Sequence, residues 1–226
     1  MSSQPGFLRA RTPENKERRA SDLLDSAREL ALAQGVRTLT LTAIATRAGV
    51  HVSGVRRYFD SREEILLVLA GREWTEWADA VVKQVEAAQH PMGSAALARL
   101  LACSLDERPL FCDLLAHASV SLEREVSAAS VRTYKRAALD AAAQITAAVS
   151  RAVPALTEEA GRDLVASATA LAATLWQNAH PGKVLAKLYA DDPGLAHARF
   201  EFGPRMTRIL DALVTGLIAE APLAAG

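Results

Sequence analysis

The sequence predicts an all-α protein whose N-terminal end is a three-helix domain containing a helix-turn-helix. Half of the 226 residues are hydrophobic but only 5% are aromatic, so the core is built largely from Ala, Leu and Val, a composition that favours helices. Apolar residues recur at helical spacing, and proline and glycine mark the breaks between segments. No segment shows the alternation of apolar and polar residues that is typical of a strand.

The chain begins with a flexible basic arm over residues 1–13, which is followed by a helix over residues 14–34. The apolar face of this helix consists of Leu23, Leu24, Ala27, Leu30 and Ala31. Gly35 ends the helix because glycine is the common residue just past a helix C-terminus. We expect this helix to pack across the next two and close a domain over residues 14–60.

Residues 40–59 contain two short helices around a tight turn. Thr40 is suited to cap the first helix, because its hydroxyl can accept from a free amide of the first turn. The apolar face of that helix is made of Leu41, Ile44 and Ala45. Gly49 follows where a left-handed residue is expected, and the second helix runs from about 51 to 57. This is a helix-turn-helix, whose slim, positive second helix fits the DNA major groove.

A capping box over residues 61–64 opens a long helix that reaches about residue 88. Its apolar residues do not lie on one narrow face of the helix but change direction gradually along its length. They are Ile65, Leu66, Leu69, Trp74, Trp77, Val81 and Val85. A helix of this kind is expected to pack against one domain near its start and against another near its end. We therefore predict that residues 61–88 connect the first domain to a C-terminal domain over residues 89–226.

The C-terminal domain is predicted to contain six more helices. Their approximate ranges are 94–105, 109–123, 127–153, 157–178, 183–190 and 204–220. The breaks fall at Pro109, Pro154, Pro181-Gly182, Pro193-Gly194 and Gly203-Pro204.

Charge is unevenly distributed although the formal net charge is zero. Residues 1–60 hold ten Lys and Arg against six Asp and Glu, a net of +4, and the remainder of the chain therefore carries −4. A basic N-terminal module on an acidic body is expected of a DNA reader with a separate regulatory domain. The basic arm is either a disordered tail or a segment that enters the minor groove.

Two stretches in the N-terminal part carry a family resemblance. The run Ile44-Ala45-x-Arg47-Ala48-Gly49-Val50, followed by Tyr58-Phe59-x-Ser61-Arg62-Glu63-Glu64-Ile65, resembles the DNA-binding domain of TetR-type repressors. The resemblance covers roughly the first eighty residues, and beyond them only helical character and length agree. One position departs from the family, because Arg56 stands where an aromatic residue is common. A guanidinium there can still bind phosphate, or can read guanine.

The candidate DNA-binding residues surround the second short helix. They are Thr40, Thr42, Arg47, His51, Val52, Ser53, Gly54, Arg56, Arg57, Tyr58 and Arg62. Thr40 and Arg62 lie near helix N-termini, where free amides and the helix dipole favour phosphate. Gly54 costs the helix about 1 kcal/mol relative to Ala, a cost consistent with close approach to DNA or with neutral drift. The competing interpretation is that the whole set is ordinary solvated surface.

Two further sets of residues are predicted in the C-terminal part. The candidate effector pocket comprises Trp74, Trp77, Phe111, His117, Tyr134 and Trp176, large or polar side chains suited to a cavity between helices. Taken singly, ordinary core is the favoured interpretation of each aromatic, and His117 is also consistent with a satisfied core histidine; the family resemblance is what favours a pocket. The candidate dimer interface comprises Leu164, Ala168, Leu171, Leu175, Ile209, Leu213 and Leu217. The resemblance implies that these two helices pair with their symmetry mates in a four-helix bundle; the alternative is the core of one monomer.

Enzyme and membrane functions find no support in the sequence. The five histidines are scattered without metal-ligand spacing, and no Gly-rich phosphate loop occurs, so we expect no catalysis, cofactor or metal. Two cysteines outside any CxxC pair favour a reducing cytoplasm. No signal peptide and no apolar run of about 18 residues is present, so no membrane partner is expected.

These observations together predict a DNA-binding transcriptional regulator. We expect a repressor that binds a palindromic, double-stranded operator as a homodimer and is released by a small organic effector. The alternative is a helix-bundle protein-interaction module whose helix-turn-helix does not read DNA.

Overall fold

The computed structural model describes residues 13–88, 91–118, 122–124 and 126–220. The basic arm and His90 fall outside the described residues, apart from Pro13. Every regular element in the described residues is helical, which confirms the all-α class. The chain forms two compact units, Met1–Arg62 and Glu63–Gly226.

In its described part, from Pro13 onward, the first unit contains three α-helices. Helix α1 spans Pro13–Gln34, α2 spans Leu41–Arg47 and α3 spans Val52–Val55, with a 3-10 turn at Val36–Thr38. Their buried side chains form one small core: Leu23, Leu24, Ala27, Ala31, Val36, Leu39, Ile44, Ala45, Val55 and Phe59. The apolar faces predicted for α1 and α2 therefore supply much of this core.

Local backbone signals set the turns of the first unit. Gly35 has φ 85° and Gly49 has φ 65°, a region that side-chain-bearing residues rarely adopt. Gly49 thereby lets the chain leave α2 and enter α3 within a few residues. The Thr40 hydroxyl accepts a hydrogen bond from the Ala43 amide at 3.1 Å, which confirms it as the N-cap of α2.

Helix α3 is shorter than the predicted range of 51–57. His51 lies outside the helix as its N-cap, and the backbone after Val55 tightens into turns. In those turns the amides of Arg57 and Tyr58 donate to the carbonyls of Gly54 and Val55, three residues back. The segment 56–58 is therefore a tight turn rather than a continued α-helix.

Within the described residues the second unit contains seven α-helices and two 3-10 segments. The α-helices are α4 Arg62–Ala87, α5 Ser94–Asp106, α6 Pro109–Ala118, α7 Ala128–Ala152, α8 Glu158–Ala179, α9 Lys183–Asp191 and α10 Phe202–Glu220. The 3-10 segments are Leu122–Arg124 and Pro193–Ala198. The predicted end of the third of these helices, at about residue 123, falls in the first 3-10 segment rather than in α6.

Helix α8 organises the packing of the second unit. It packs on α6, α7 and α10, and α10 also packs on α5. The start of α10 lies close to the end of α5, because a Cβ built at Gly203 would lie 2.7 Å from an Asp106 carboxylate oxygen. None of the helices in the described residues is long and apolar enough to cross a membrane.

Candidate nucleic-acid interface and candidate effector cavities

The predicted DNA-binding residues sort into an exposed set and a partly buried set. The side chains of Thr40, Thr42, Arg47, His51, Ser53, Arg56 and Arg57 are exposed, and those of Val52, Gly54, Tyr58 and Arg62 are half-buried. The intervening Val55 and Phe59 point into the core of the unit. The turn after α3 is thus anchored from inside while its polar side chains face solvent.

His51 has a role that the sequence interpretation missed. Its Nδ1 accepts a hydrogen bond from the Ser53 amide at 3.3 Å and lies 3.0 Å from the Ser53 hydroxyl. Since Nδ1 acts as the acceptor, a neutral ring carries its proton on Nε2. The cap therefore presents an N–H donor suited to a phosphate oxygen or to the N7 and O6 atoms of guanine.

Gly54 is not required by packing within the protein. A Cβ built there would lie 3.6 Å from Val50 Cβ, an ordinary van der Waals contact. The absence of a side chain at the centre of α3 therefore has no reason inside the first unit. It leaves room for close approach of an external surface.

Three of the predicted DNA-binding residues have structural partners. Arg47 pairs with Glu29, with its Nε 2.6 Å from the carboxylate, and so ties α2 to α1. Arg62 donates from Nη1 to the carbonyls of Arg37 at 3.3 Å and Leu39 at 3.2 Å. The Thr40 hydroxyl is used in its cap. Within the described residues Arg56 and Arg57 make no ion pair, so their guanidinium groups are available.

Three of the predicted effector residues form a closed aromatic cluster. The ring centroids of Trp74, Trp77 and Phe111 lie 5.3–5.6 Å apart. Trp77 and Phe111 have no exposed surface, and the Trp77 indole N–H donates to the Ser104 hydroxyl at 2.9 Å. These rings fill the space between α4, α5 and α6 as core, which was the competing interpretation for each of them.

The other predicted effector residues lie apart from this cluster. His117 Nδ1 lies 2.9 Å from the Asp113 carbonyl and 3.6 Å from the Asp113 carboxylate on its own helix. Trp176 stacks on His180 with a centroid distance of 3.7 Å and meets the edge of Phe202. The six residues therefore do not converge on one cavity.

Tyr134 is the predicted effector residue that lines described cavities. It borders a cavity of about 480 Å³ between α4 and α7, and a second of about 590 Å³ between α6, α7 and α8. Burial raises the pKa of its phenol, and the nearby Trp74 N–H opposes that rise. The Trp74 Nε1 is buried and has no hydrogen-bond partner within the described residues.

The predicted dimer residues divide by exposure. Leu164 and Ala168 are fully buried within the protomer, so they have no surface to offer a partner, and we drop them from the interface. Half-buried positions are Leu171 and Leu175 on α8, and Ile209, Leu213 and Leu217 on α10. Because α8 and α10 pack on each other, these five residues belong to a neighbouring pair of helices.

The first unit has the architecture of a helix-turn-helix protein, and the chain as a whole is similar to known bacterial regulators. Residues 23–69 match the model described as bacterial regulatory proteins, tetR family. Residues 71–221 match the model for a tetracyclin repressor-like C-terminal domain. The chain belongs to the TetR family and is a transcriptional regulator. Regulators of this family are generally DNA-binding proteins rather than enzymes.

Solved structures agree with this fold at low sequence identity. FadR from Thermus thermophilus, a TetR-family repressor in complex with lauroyl-CoA, is 17% identical with a TM-score of 0.55, covering 92% of this chain and 96% of its own. FadR from Bacillus subtilis, in complex with stearoyl-CoA, is 14% identical with a TM-score of 0.55, covering 87% and 98%. A TetR regulator from Rhodococcus sp. RHA1 is 16% identical with a TM-score of 0.51, covering 89% and 97%. No curated protein matches the sequence.

Proposed function

We propose that this regulator is a cytoplasmic repressor that binds a palindromic operator as a homodimer and is released by a small organic effector. The observation that carries the proposal is the exposed polar surface of α3 and its following turn. There the His51 cap and the guanidinium groups of Arg56 and Arg57 are available to an external partner. These groups match the acceptors of guanine and of the phosphate backbone.

The DNA contacts are assigned by the availability of each side chain. Arg56, Arg57, His51 and Ser53 read base edges or nearby phosphates, and Gly54 permits close approach of the backbone. Thr42 and Tyr58 contact phosphate through their hydroxyls, and Val52 contributes apolar contact. Thr40, Arg47 and Arg62 act mainly by holding the helices in place, because each already has a partner within the unit.

Homodimerisation through α8 and α10 supplies the two-fold symmetry that a palindrome requires. A helix-turn-helix dimer engages two half-sites about one helical turn of DNA apart. The half-buried residues Leu171, Leu175, Ile209, Leu213 and Leu217 form the central contact. We expect Leu213→Glu to yield a monomer in sedimentation experiments, whereas Leu139→Glu, at an exposed position on α7, leaves the assembly unchanged.

The effector is held in the second unit and acts through α4. Two similar proteins were solved with acyl-CoA molecules, which supports a small organic ligand. Helix α4 runs without a break from Arg62 to Ala87. In this scheme residues 14–60 read DNA, and residues 89–226 dimerise and bind the effector. Residues 61–88 connect these two domains. Movement of α4 would shift Arg62 and the loop carbonyls it holds, and so change the spacing of the two recognition helices.

The proposal is tested first by binding the purified protein to tiled genomic fragments at two salt concentrations. A single enriched palindrome, with affinity that falls steeply in salt, supports operator reading. Equal weak binding to all fragments would overturn it and leave only a basic surface. A reporter gene behind the palindrome then gives the sign of regulation, since deletion of a repressor raises expression.

A further inference from the structure

The cavity between α4 and α7 has an apolar floor and a charged rim. Leu67, Val68 and Gly71 line it from α4, and Ala129, Tyr134 and Ala137 line it from α7. The helices are near each other at Gly71, where an added Cβ would make an ordinary van der Waals contact of 3.7 Å with Ala137 Cβ. The floor is therefore apolar along both helices, which suits an alkyl chain.

Arg72 is the positive group at the rim of this cavity. It is exposed and, within the described residues, makes no ion pair. The neighbouring hydroxyls of Thr75 and Thr133 donate to carbonyls of their own helices, at 3.2 and 3.1 Å. Arg72 is thus the group at this rim that is free to bind an anion.

The other polar groups of these cavities are already engaged. Glu64 accepts a hydrogen bond from the Ser130 hydroxyl at 3.0 Å at the other end of the α4–α7 cavity. In the α6–α7–α8 cavity, Lys135 pairs with Glu123 at 2.7 Å. Of these two cavities, only the α4–α7 cavity has at its rim a cationic group, Arg72, that makes no ion pair within the described residues.

We propose that the α4–α7 cavity binds a single-chain amphiphile with an anionic head group. The alkyl chain lies along Leu67, Val68 and Ala137, and the head group pairs with Arg72. This identifies the effector class, so it rests on the proposed function for its biological meaning.

The charge preference is tested with three probes that share a dodecyl chain. Dodecanoate, dodecanol and dodecyltrimethylammonium are titrated calorimetrically into the full-length protein without DNA, below their micelle concentrations. Dodecanoate is expected to bind about fivefold more tightly than dodecanol, the range for one exposed ion pair, and the cationic probe most weakly. Equal affinities, or tightest binding of the cation, would overturn the proposal.

Arg72→Ala should remove the preference for dodecanoate while leaving the affinity for dodecanol unchanged. Arg136→Ala removes the same charge from an exposed position on α7 that does not line the cavity, and should keep the preference. If both variants lose the preference for dodecanoate equally, the preference comes from the net charge of the protein, and Arg72 is not the head-group site.

Failure of this inference and failure of the proposed function give different results. Operator binding without any dodecanoate binding would reject the ligand class alone. Specific dodecanoate binding by a protein that selects no operator would reject DNA reading alone.

Discussion

The two units of this regulator differ in where their functional groups lie: at the surface in the first unit, and among packed helices in the second. In the first unit the guanidinium groups of Arg56 and Arg57 are exposed and, within the described residues, make no ion pair, and caps and glycines fix the backbone that presents them. In the second unit the largest aromatic side chains are closed against one another, and several exposed charges are paired, such as Arg162 with Glu158 and Lys187 with Asp191. A surface that must meet a rigid partner can be built from local signals. A site that must enclose a ligand depends on packing between distant segments.

The largest effect is expected from Trp77→Ala in the second unit. The side chain has no exposed surface and donates to Ser104, so its removal should lower the free energy of unfolding by about 3–5 kcal/mol. Trp176→Ala is the matched control, because that side chain is half-buried and should cost less. Urea unfolding followed by far-UV circular dichroism gives both values. Equal losses would mean that the aromatic cluster is not the centre of the core.

In the first unit the expected effect is on binding rather than on folding. Arg56→Ala and Arg57→Ala should each weaken operator binding by about 1–3 kcal/mol if the side chain contacts a base. Helical content should stay unchanged, since both side chains are exposed. Fluorescence anisotropy of labelled operator measures the affinity, with Arg151→Ala of the second unit as a charge control. Unchanged affinity in both variants would remove these residues from the interface.

Two glycines of α10 differ in the space around them. A Cβ at Gly203 would lie 2.7 Å from an Asp106 carboxylate oxygen, so Gly203→Ala forces that exposed side chain to move and should gain less stability than Gly216→Ala. Gly216→Ala has open space around it and should stabilise by up to about 1 kcal/mol through helix propensity. Thermal unfolding of the two variants measures the difference. A Gly203→Ala variant at least as stable as Gly216→Ala would contradict the close approach of Asp106.

Gly54→Ala is expected to have a small effect on stability. Its effects on stability and on operator binding should have opposite signs. The Cβ fits against Val50, so the free energy of unfolding should rise by up to about 1 kcal/mol. Operator affinity should fall, because the methyl group occupies the space left for DNA. Denaturation and anisotropy on the same protein sample separate the two. A variant that gains stability and keeps full affinity would show that Gly54 is neutral drift.

The sequence predicted local features more accurately than long-range ones. The Thr40 cap, the Gly49 turn and most helix limits depend on neighbouring residues, and the structure confirms them. The capping role of His51 was missed because histidine is not a common N-cap residue. Its position just before Val52, the first residue of the helix, was a usable signal.

The candidate effector site could not be assembled from the sequence. Helical periodicity shows that Trp74 and Trp77 are apolar-face residues, but not whether another helix covers them. Phe111 covers both rings, and Leu164 is buried by the protomer itself. Tyr134 lies on cavities because α4 and α7 approach at Gly71 and Ala137, a pairing that neither segment encodes alone.

The placement of the three tryptophans has a spectroscopic consequence. All of them lie in the second unit, at positions 74, 77 and 176, so intrinsic emission excited at the indole band reports on that unit alone. Trp74 and Trp77 are near enough, at 5.6 Å, to share excitation, whereas Trp176 stacks on the His180 imidazole at a centroid distance of 3.7 Å. Tryptophan fluorescence therefore reports on the unit proposed to sense the effector. The unit proposed to read DNA contributes no tryptophan emission.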